Sequence, residues 1–199
     1  MEFTLALLLY VIVQFIAFLF VLVGTPIDMF RPKDEGRFDN SPCITLWGYK
    51  DKCYSRMLFQ NSDDLWSPCP GRGSRFRVAQ ALVIISIFVY GTAAAFGFIM
   101  LCCCSSLRLV CLALNITGVI TLCVVWASMV KTYYTLDGQC FGLRFRMNFG
   151  SGFALLVFAW VLDIINIVLL LLPSQARDPS EIGEPIKSAA PTESKDAKE

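Results

Sequence analysis

The sequence predicts an all-α membrane protein, a four-transmembrane-helix bundle. Three observations carry that expectation. Hydrophobic residues make up 56% of the 199 residues and charged residues only 17%, against about 25% charged in an ordinary soluble domain. Mean hydropathy is +0.60. Four apolar stretches approach the roughly 20 residues that cross a bilayer core. Backbone groups in lipid must bond internally, so each stretch should be a helix.

The first span, about 3–23, holds no charge. Only Met1 and Glu2 precede it, and Val23-Gly24-Thr25-Pro26 follows. Without a basic leader or an A-x-A site it reads as an uncleaved anchor. The second span, about 78–101, carries small residues, including the pair Ala93/Gly97. The third, about 107–130, contains Asn115 and two thiols expected to be buried, Cys111 and Cys123. The fourth, about 149–172, opens on Gly150-Ser151-Gly152 with the small pair Gly150/Ala154, and its one charge is Asp163. Such small pairs let helix backbones approach, within one chain or between copies.

Asp163 is the sharpest feature inside the spans. An ionised carboxylate there costs about 2.5–3.5 kcal/mol on insertion scales, so Asp163 should be neutral or paired inside the bundle. Asn166 lies on the same helix face, and Gln14 and Asn115 can reach from other spans. The plain reading is an interhelical hydrogen bond. The functional reading is a proton or ion relay, although apart from Arg108 at the edge of the third span no basic residue lies within the spans to extend one.

Residues 1–172 thus form the membrane domain. Its connections are a large first loop, 24–77, a tight hairpin at 102–106 and a medium loop, 131–148. The tail, 173–199, is rich in Pro, Ser, Ala, Lys and Glu and is expected to be disordered.

Composition also excludes function classes. Histidine is absent, which removes the Ser/His/Asp triad, the Cys/His dyad and imidazole metal sites. The net charge of +1 leaves no basic footprint for nucleic acid. The chain therefore reads as a non-enzyme, with no cofactor and no metal expected and membrane lipids as its first partners.

Sidedness is contested within the sequence. The two larger loops hold 12 of the 17 Lys and Arg residues, which by the positive-inside rule would place them in the cytosol. Cysteine points the other way. Cys43, Cys53 and Cys69 in the first loop and Cys140 in the third make an even set on one side, as disulfides in an oxidising compartment would. Cys102, Cys103 and Cys104 sit at the opposite interface, where juxtamembrane cysteines are candidates for S-palmitoylation.

The first loop contains Cys43-Ile44-Thr45-Leu46-Trp47-Gly48-Tyr49-Lys50-Asp51-Lys52-Cys53. This resembles the signature of the amastins, tetraspan surface proteins of trypanosomatid parasites. The shared positions are Cys43, Thr45, Leu46, Trp47, Gly48, Lys50 and Cys53. Lys52 departs, standing where the family carries an acidic or small polar residue. Four spans, a large first loop, Cys140, and the Gly-rich aromatic run from Asn148 to Phe153 followed by Trp160 extend the resemblance over nearly all the chain except the tail. More remotely, the arrangement is similar to the claudin-like group, in which two cysteines near a tryptophan staple a small sheet in the first extracellular loop.

The resemblance implies extracellular loops, cytoplasmic termini and a plasma-membrane location. It also implies a small disulfide-stapled β-sheet in the first loop. With Gly48 at a hairpin tip, Cys43 and Cys53 fall opposite each other, within reach of a disulfide. Four cysteines allow three connectivities; the expected one is Cys43–Cys53 with Cys69–Cys140. Strand alternation puts Cys43, Thr45 and Trp47 on one face and Ile44 and Leu46 on the other.

Trp47 and Trp66 have two readings, partner anchor or packing and interfacial belt; the second is the plainer. Tyr133, Tyr134, Phe141, Phe145 and Phe149 likewise read as a belt. The one N-x-S/T sequon, Asn115-Ile116-Thr117, lies inside the third span, so no N-glycan is expected on the loops. Amastins are associated with the intracellular amastigote stage and with parasite–host interaction. The resemblance therefore implies contact with a host membrane or surface partner, or surface organisation through a homo-oligomer. The alternative is a proton, ion or small-solute transport component using Asp163.

Overall fold

A computed structural model describes residues 2–33, 40–55, 57–102, 107–136, 140 and 142–172. Its elements run α1 (Glu2–Gly24), β1 (Asp28–Pro32), β2 (Cys43–Thr45), β3 (Gly48–Lys50), β4 (Gln60–Asn61), α2 (Ser62–Leu65), α3 (Pro70–Cys102), α4 (Arg108–Tyr134), β5 (Met147–Phe149) and α5 (Ser151–Leu171). Among the described residues four helices, α1, α3, α4 and α5, are long and apolar enough to cross a membrane. The expected bundle and sheet are both present. Cys103, Cys104 and the tail 173–199, with the lipidation and disorder expectations placed on them, lie outside the described residues, as does Phe141. Cys102 ends α3.

The four long helices close a ring. α3 packs along α4 and α1 along α5, while α1 meets α3 and α4 meets α5. Buried positions recur every three or four residues: Tyr10, Gln14, Ala17 and Val21 on α1; Val83, Ser86, Tyr90 and Ala93 on α3; Cys111, Asn115, Gly118, Leu122, Val125 and Met129 on α4; Gly152, Leu156, Ala159, Asp163, Asn166 and Leu170 on α5. That is the spacing of helices crossing at shallow angles in a bundle. The outer faces stay apolar, with Phe15, Phe88, Ile120 and Phe158 exposed, as contact with lipid requires.

Two helices outrun the spans read from hydropathy. α3 begins at Pro70, eight residues ahead of the apolar stretch, and α4 runs on to Tyr134. At 33 residues α3 is about 50 Å long, well over the ~30 Å hydrocarbon core. Hydropathy stops at Arg77; the helix does not, because its first turns belong to the loop domain. There Arg72 lies over the Trp66 ring at 5.0 Å and Trp66 packs on Phe76 at 5.1 Å.

The small pairs divide. On α3, Ala93 is fully buried, and a Cβ on Gly97 would stand 3.1 Å from the Tyr10 ring, so this pair packs against α1 within the chain. On α5, Ala154 is exposed; the small buried residues are Gly152 and Ala159. The turn of the helix carries Ala154 away from the core face. Cys111 is buried, but Cys123 is only half-buried, one position past the buried Leu122.

A five-stranded antiparallel sheet of order β4-β3-β2-β1-β5 covers one end of the bundle. β1 follows α1 directly and β5 leads directly into α5, and these two strands pair with each other. The sheet is thereby fixed to both helices. An aromatic cluster fills the seam: Tyr133 and Phe149 lie 4.3 Å apart, Phe149 and Phe153 4.3 Å, and Phe30 and Phe149 5.8 Å. Of the expected belt, Tyr133 and Phe149 are half-buried and pack against the core, while Tyr134 and Phe145 are exposed.

Candidate functional site

The chemistry-bearing residues gather in two places, the stapled sheet and a buried polar layer inside the bundle.

In the sheet, Cys43 and Cys53 are joined with Cα atoms 5.4 Å apart. The hairpin differs from the expected one. Cys43 pairs with Lys50, Ile44 with Tyr49 and Thr45 with Gly48, so Leu46 and Trp47 form the tip and Gly48 opens β3. Cys53 lies beyond the strand and returns to Cys43 through a bond from its N–H to the carbonyl of Ser41, 3.1 Å. The reason is Thr45. Its hydroxyl donates to the Gly48 carbonyl at 3.0 Å and accepts from the N–H groups of Trp47 and Gly48 at 3.2 Å, closing the turn two residues earlier than symmetry between the cysteines suggests.

Each motif residue has a position in this arrangement. Gly48 has φ +150°, a conformation side-chain-bearing residues rarely adopt, and a Cβ there would run into the Gln60 carbonyl on β4. Leu46 is fully buried, and its carbonyl accepts from Nε2 of Gln80 on α3 at 2.8 Å. Trp47 is half-buried against the core, and its carbonyl receives the Ser62 N–H at 3.0 Å. Lys50 is half-buried opposite Cys43. Strand alternation does not separate Cys43 and Thr45 from Ile44 and Leu46: all four are buried, Ile44 and Leu46 in the main apolar core and Cys43 in the bridge to Cys53. Trp66 is buried too. Neither tryptophan is an exposed anchor.

Cys69, at the head of α3, is joined to Cys140, with Cα atoms 6.3 Å apart. This bridge ties the first loop to the third. Lys33 adds a second tie, donating from Nζ to the Arg144 carbonyl at 2.5 Å.

Below the sheet, Asp28 is fully buried. Its carboxylate accepts from Nε of Arg31 at 2.8 Å, from the N–H of Ser151 at 3.0 Å and from the Ser151 hydroxyl at 2.7 Å. It therefore caps the N-terminus of α5 from another segment of chain. Arg31 also lies over the Tyr54 ring at 5.5 Å. Burial works against the Arg31 charge, but Tyr54 and Asp28 outweigh it and hold the guanidinium pKa above its ordinary value. Asp28 is not among the residues singled out from the sequence; its one signal there is an acid five residues past an uncharged span.

The polar layer draws on all four long helices. Tyr10, Gln14, Tyr90, Asn115, Asp163 and Asn166 are each 1% exposed or less. Asn166 donates from Nδ2 to Oε1 of Gln14 at 2.6 Å, and Asn115 donates from Nδ2 to the Tyr10 hydroxyl at 3.3 Å. Gln14 and Asn115 thus reach the layer but bond elsewhere than to Asp163. The neighbour of Asp163 is Tyr90, which the sequence reading did not single out. A Cβ on Gly118 would meet Oδ2 of Asp163 at 2.7 Å and the Tyr90 ring at 2.9 Å. The Tyr90 hydroxyl stands beside the carboxylate without closing a hydrogen bond of standard geometry. At the end of the bundle away from the sheet, Arg108 donates to the carbonyls of Leu170 and Leu172, capping the C-terminus of α5.

Comparison with known proteins bears on this geometry. The family model described as "Amastin surface glycoprotein" matches residues 15–170, most of the chain. No curated protein matches, and no solved structure matches. The matched stretch takes in the second part of α1, the stapled sheet and nearly all of α5, and the chain belongs to the amastin family.

Proposed function

We propose that this amastin, a multi-pass membrane protein of a surface family, is a non-enzymatic tetraspan of the plasma membrane. Its two larger loops face outside and its termini face the cytosol. The stapled sheet meets a host membrane, a surface partner or neighbouring copies. One observation carries this reading. Between Cys53 and β4 the chain exposes Tyr54, Met57 and Phe59, at 61%, 82% and 76%. They sit on a segment anchored by the Cys43–Cys53 bridge on one side and by β3–β4 pairing on the other. Apolar side chains held out from a rigid, covalently fixed support are the usual mark of a contact surface.

Orientation rests on chemistry. Both disulfides lie at the sheet end of the bundle, and bridges persist on the oxidising side of a membrane. The basic residues of the loops are interleaved with acids, which weakens the opposing charge argument.

The test is proximity labelling from the first loop in infected cells, comparing the native chain with Met57→Ser/Phe59→Ser. The variant should reach the surface normally and lose host-membrane neighbours. Unchanged neighbours would overturn the reading. A C-terminal tag should be stained only after permeabilisation.

The transport reading has one observation in its favour, the buried layer around Asp163. Replacing Asp163 with Asn and Cys43/Cys53 with Ser separates the two. Loss of function from the Asp163 change alone, with the surface fold intact, would favour transport.

A further inference from the structure

We propose that the buried layer around Asp163 is a binding site for one monovalent metal cation. The argument starts from the inventory of donors and acceptors. Four oxygens in the layer have no hydrogen-bond partner: Oδ1 and Oδ2 of Asp163, Oδ1 of Asn115 and Oδ1 of Asn166. The unpartnered donors there are Nε2 of Gln14 and the Tyr90 hydroxyl. Four acceptor oxygens thus stand unpartnered inside a region where each unsatisfied polar atom is costly.

The orientation of the amides sharpens this. Both asparagines give their NH2 groups to α1, Asn166 to Gln14 and Asn115 to Tyr10. Each thereby turns an N–H to α1 and keeps its Oδ1 without a partner. A lone ionised carboxylate would draw N–H donors toward itself. Two amide oxygens in the same buried layer as two carboxylate oxygens, with Tyr90 against the carboxylate, are the hard ligands that alkali cations take.

Register brings these residues within about one helical turn of each other. Asp163 and Asn166 are one turn apart on α5, and Asn115 and Gly118 are one turn apart on α4. Gly118 is also where the lack of a Cβ lets Asp163 and Tyr90 come up against α4. The layer therefore spans about one helical turn, roughly 5 Å. Asp163 lies eight residues before Leu171, roughly 12 Å from the helix end.

Charge selects the class of ligand. The apolar stretches contain one acid, and their one base, Arg108, sits at the far end of the bundle, where it donates to the carbonyls of Leu170 and Leu172. A single carboxylate is neutralised by a monovalent cation, whereas a divalent one would leave a net charge in the bilayer. The inference does not rest on the loop reading. It gives the transport reading a ligand without requiring passage across the membrane.

The experiment uses the full chain purified in detergent. Thermal unfolding is followed in sodium, potassium and choline chloride at equal ionic strength. Sodium or potassium should raise the midpoint saturably over choline, and Asp163→Asn should abolish that difference. Asn166→Ala should raise the half-saturating concentration about tenfold, as loss of one ligand to a charged group implies. Should Asp163→Asn fail to fold, radioactive sodium binding to the native chain decides: saturable binding near one ion per chain supports the site. The same midpoint in all three salts, or no saturable sodium binding, would overturn it and leave the carboxylate neutralised by a proton. Neither result touches the role of the loop.

Discussion

The carboxylate of Asp28 and residue Ser151, 123 positions apart, are joined twice: the Ser151 N–H donates at 3.0 Å and its hydroxyl at 2.7 Å. This contact fixes the sheet to the membrane bundle. Asp28 opens β1 one turn after α1 ends, and Ser151 opens α5 just after β5 ends. The same carboxylate binds Arg31, so charge, helix cap and strand pairing converge on one buried side chain.

Replacing Asp28 with Ala should therefore be among the most damaging changes in the loop domain. It strips a buried ion pair of one partner and removes the α5 cap. Breaking a buried pair costs about 3–5 kcal/mol. Asn at this position keeps an acceptor for Ser151 and should lose less. Unfolding midpoints of the two variants in detergent, ranked Asp28→Ala below Asp28→Asn below native, are the expected result.

Gly152 permits the close approach beneath that cap. A Cβ there would stand 2.7 Å from the Gly24 carbonyl oxygen and 2.8 Å from that of Asp28. Both obstacles are backbone and cannot swing aside. Gly152→Ala should cost about 1–3 kcal/mol, the range for overpacking. Ala154→Gly, two residues on and exposed, is the matched control and should cost about 1 kcal/mol or less through helix propensity alone.

The two disulfides should separate in their effects. Cys43–Cys53 closes a short loop, worth about 2–3 kcal/mol in the chain-entropy model. Changing both to Ser should loosen β2, β3 and the Tyr54–Phe59 segment while leaving the bundle folded. Limited proteolysis should cut the first loop and spare the helices. Changing Cys69 and Cys140 to Ser should instead free the third loop from the head of α3, opening cleavage sites around residues 135–142.

How much of this was legible in the sequence depends on which physical signal each part carries. The four helices were, because a bilayer demands some 20 apolar residues and little else imitates that. The inward faces were not. A span that is apolar all round has no contrast between its lipid side and its core side, so Tyr90 looked like any other aromatic. The polar residues held the missing register: Gln14, Asn115, Asp163 and Asn166 all fall on buried faces, and aligning the spans through them would have found those faces. The Leu46–Trp47 tip was hidden by a different cause. Placing Gly48 at the centre of the turn followed the cysteine spacing, whereas the Thr45 hydroxyl sets the turn. The head of α3 was missed because hydropathy ends where its arginines begin.

The last prediction concerns modification. The family is described as surface glycoproteins, yet the chain's one sequon, at Asn115, lies inside α4, about two turns from its start. Asn115 is 1% exposed, and its Nδ2, the atom a glycan would occupy, donates to the Tyr10 hydroxyl. Its surroundings are helix and neighbouring spans, not a surface loop, where acceptor sites are used. The mature protein should therefore show no change in mobility on treatment with an endoglycosidase specific for N-glycans, and Asn115→Gln should migrate with the native chain. A shift with the enzyme that disappears in Asn115→Gln would mean that α4 does not cross the membrane as drawn. It would also place the polar layer in contact with the secretory lumen during synthesis.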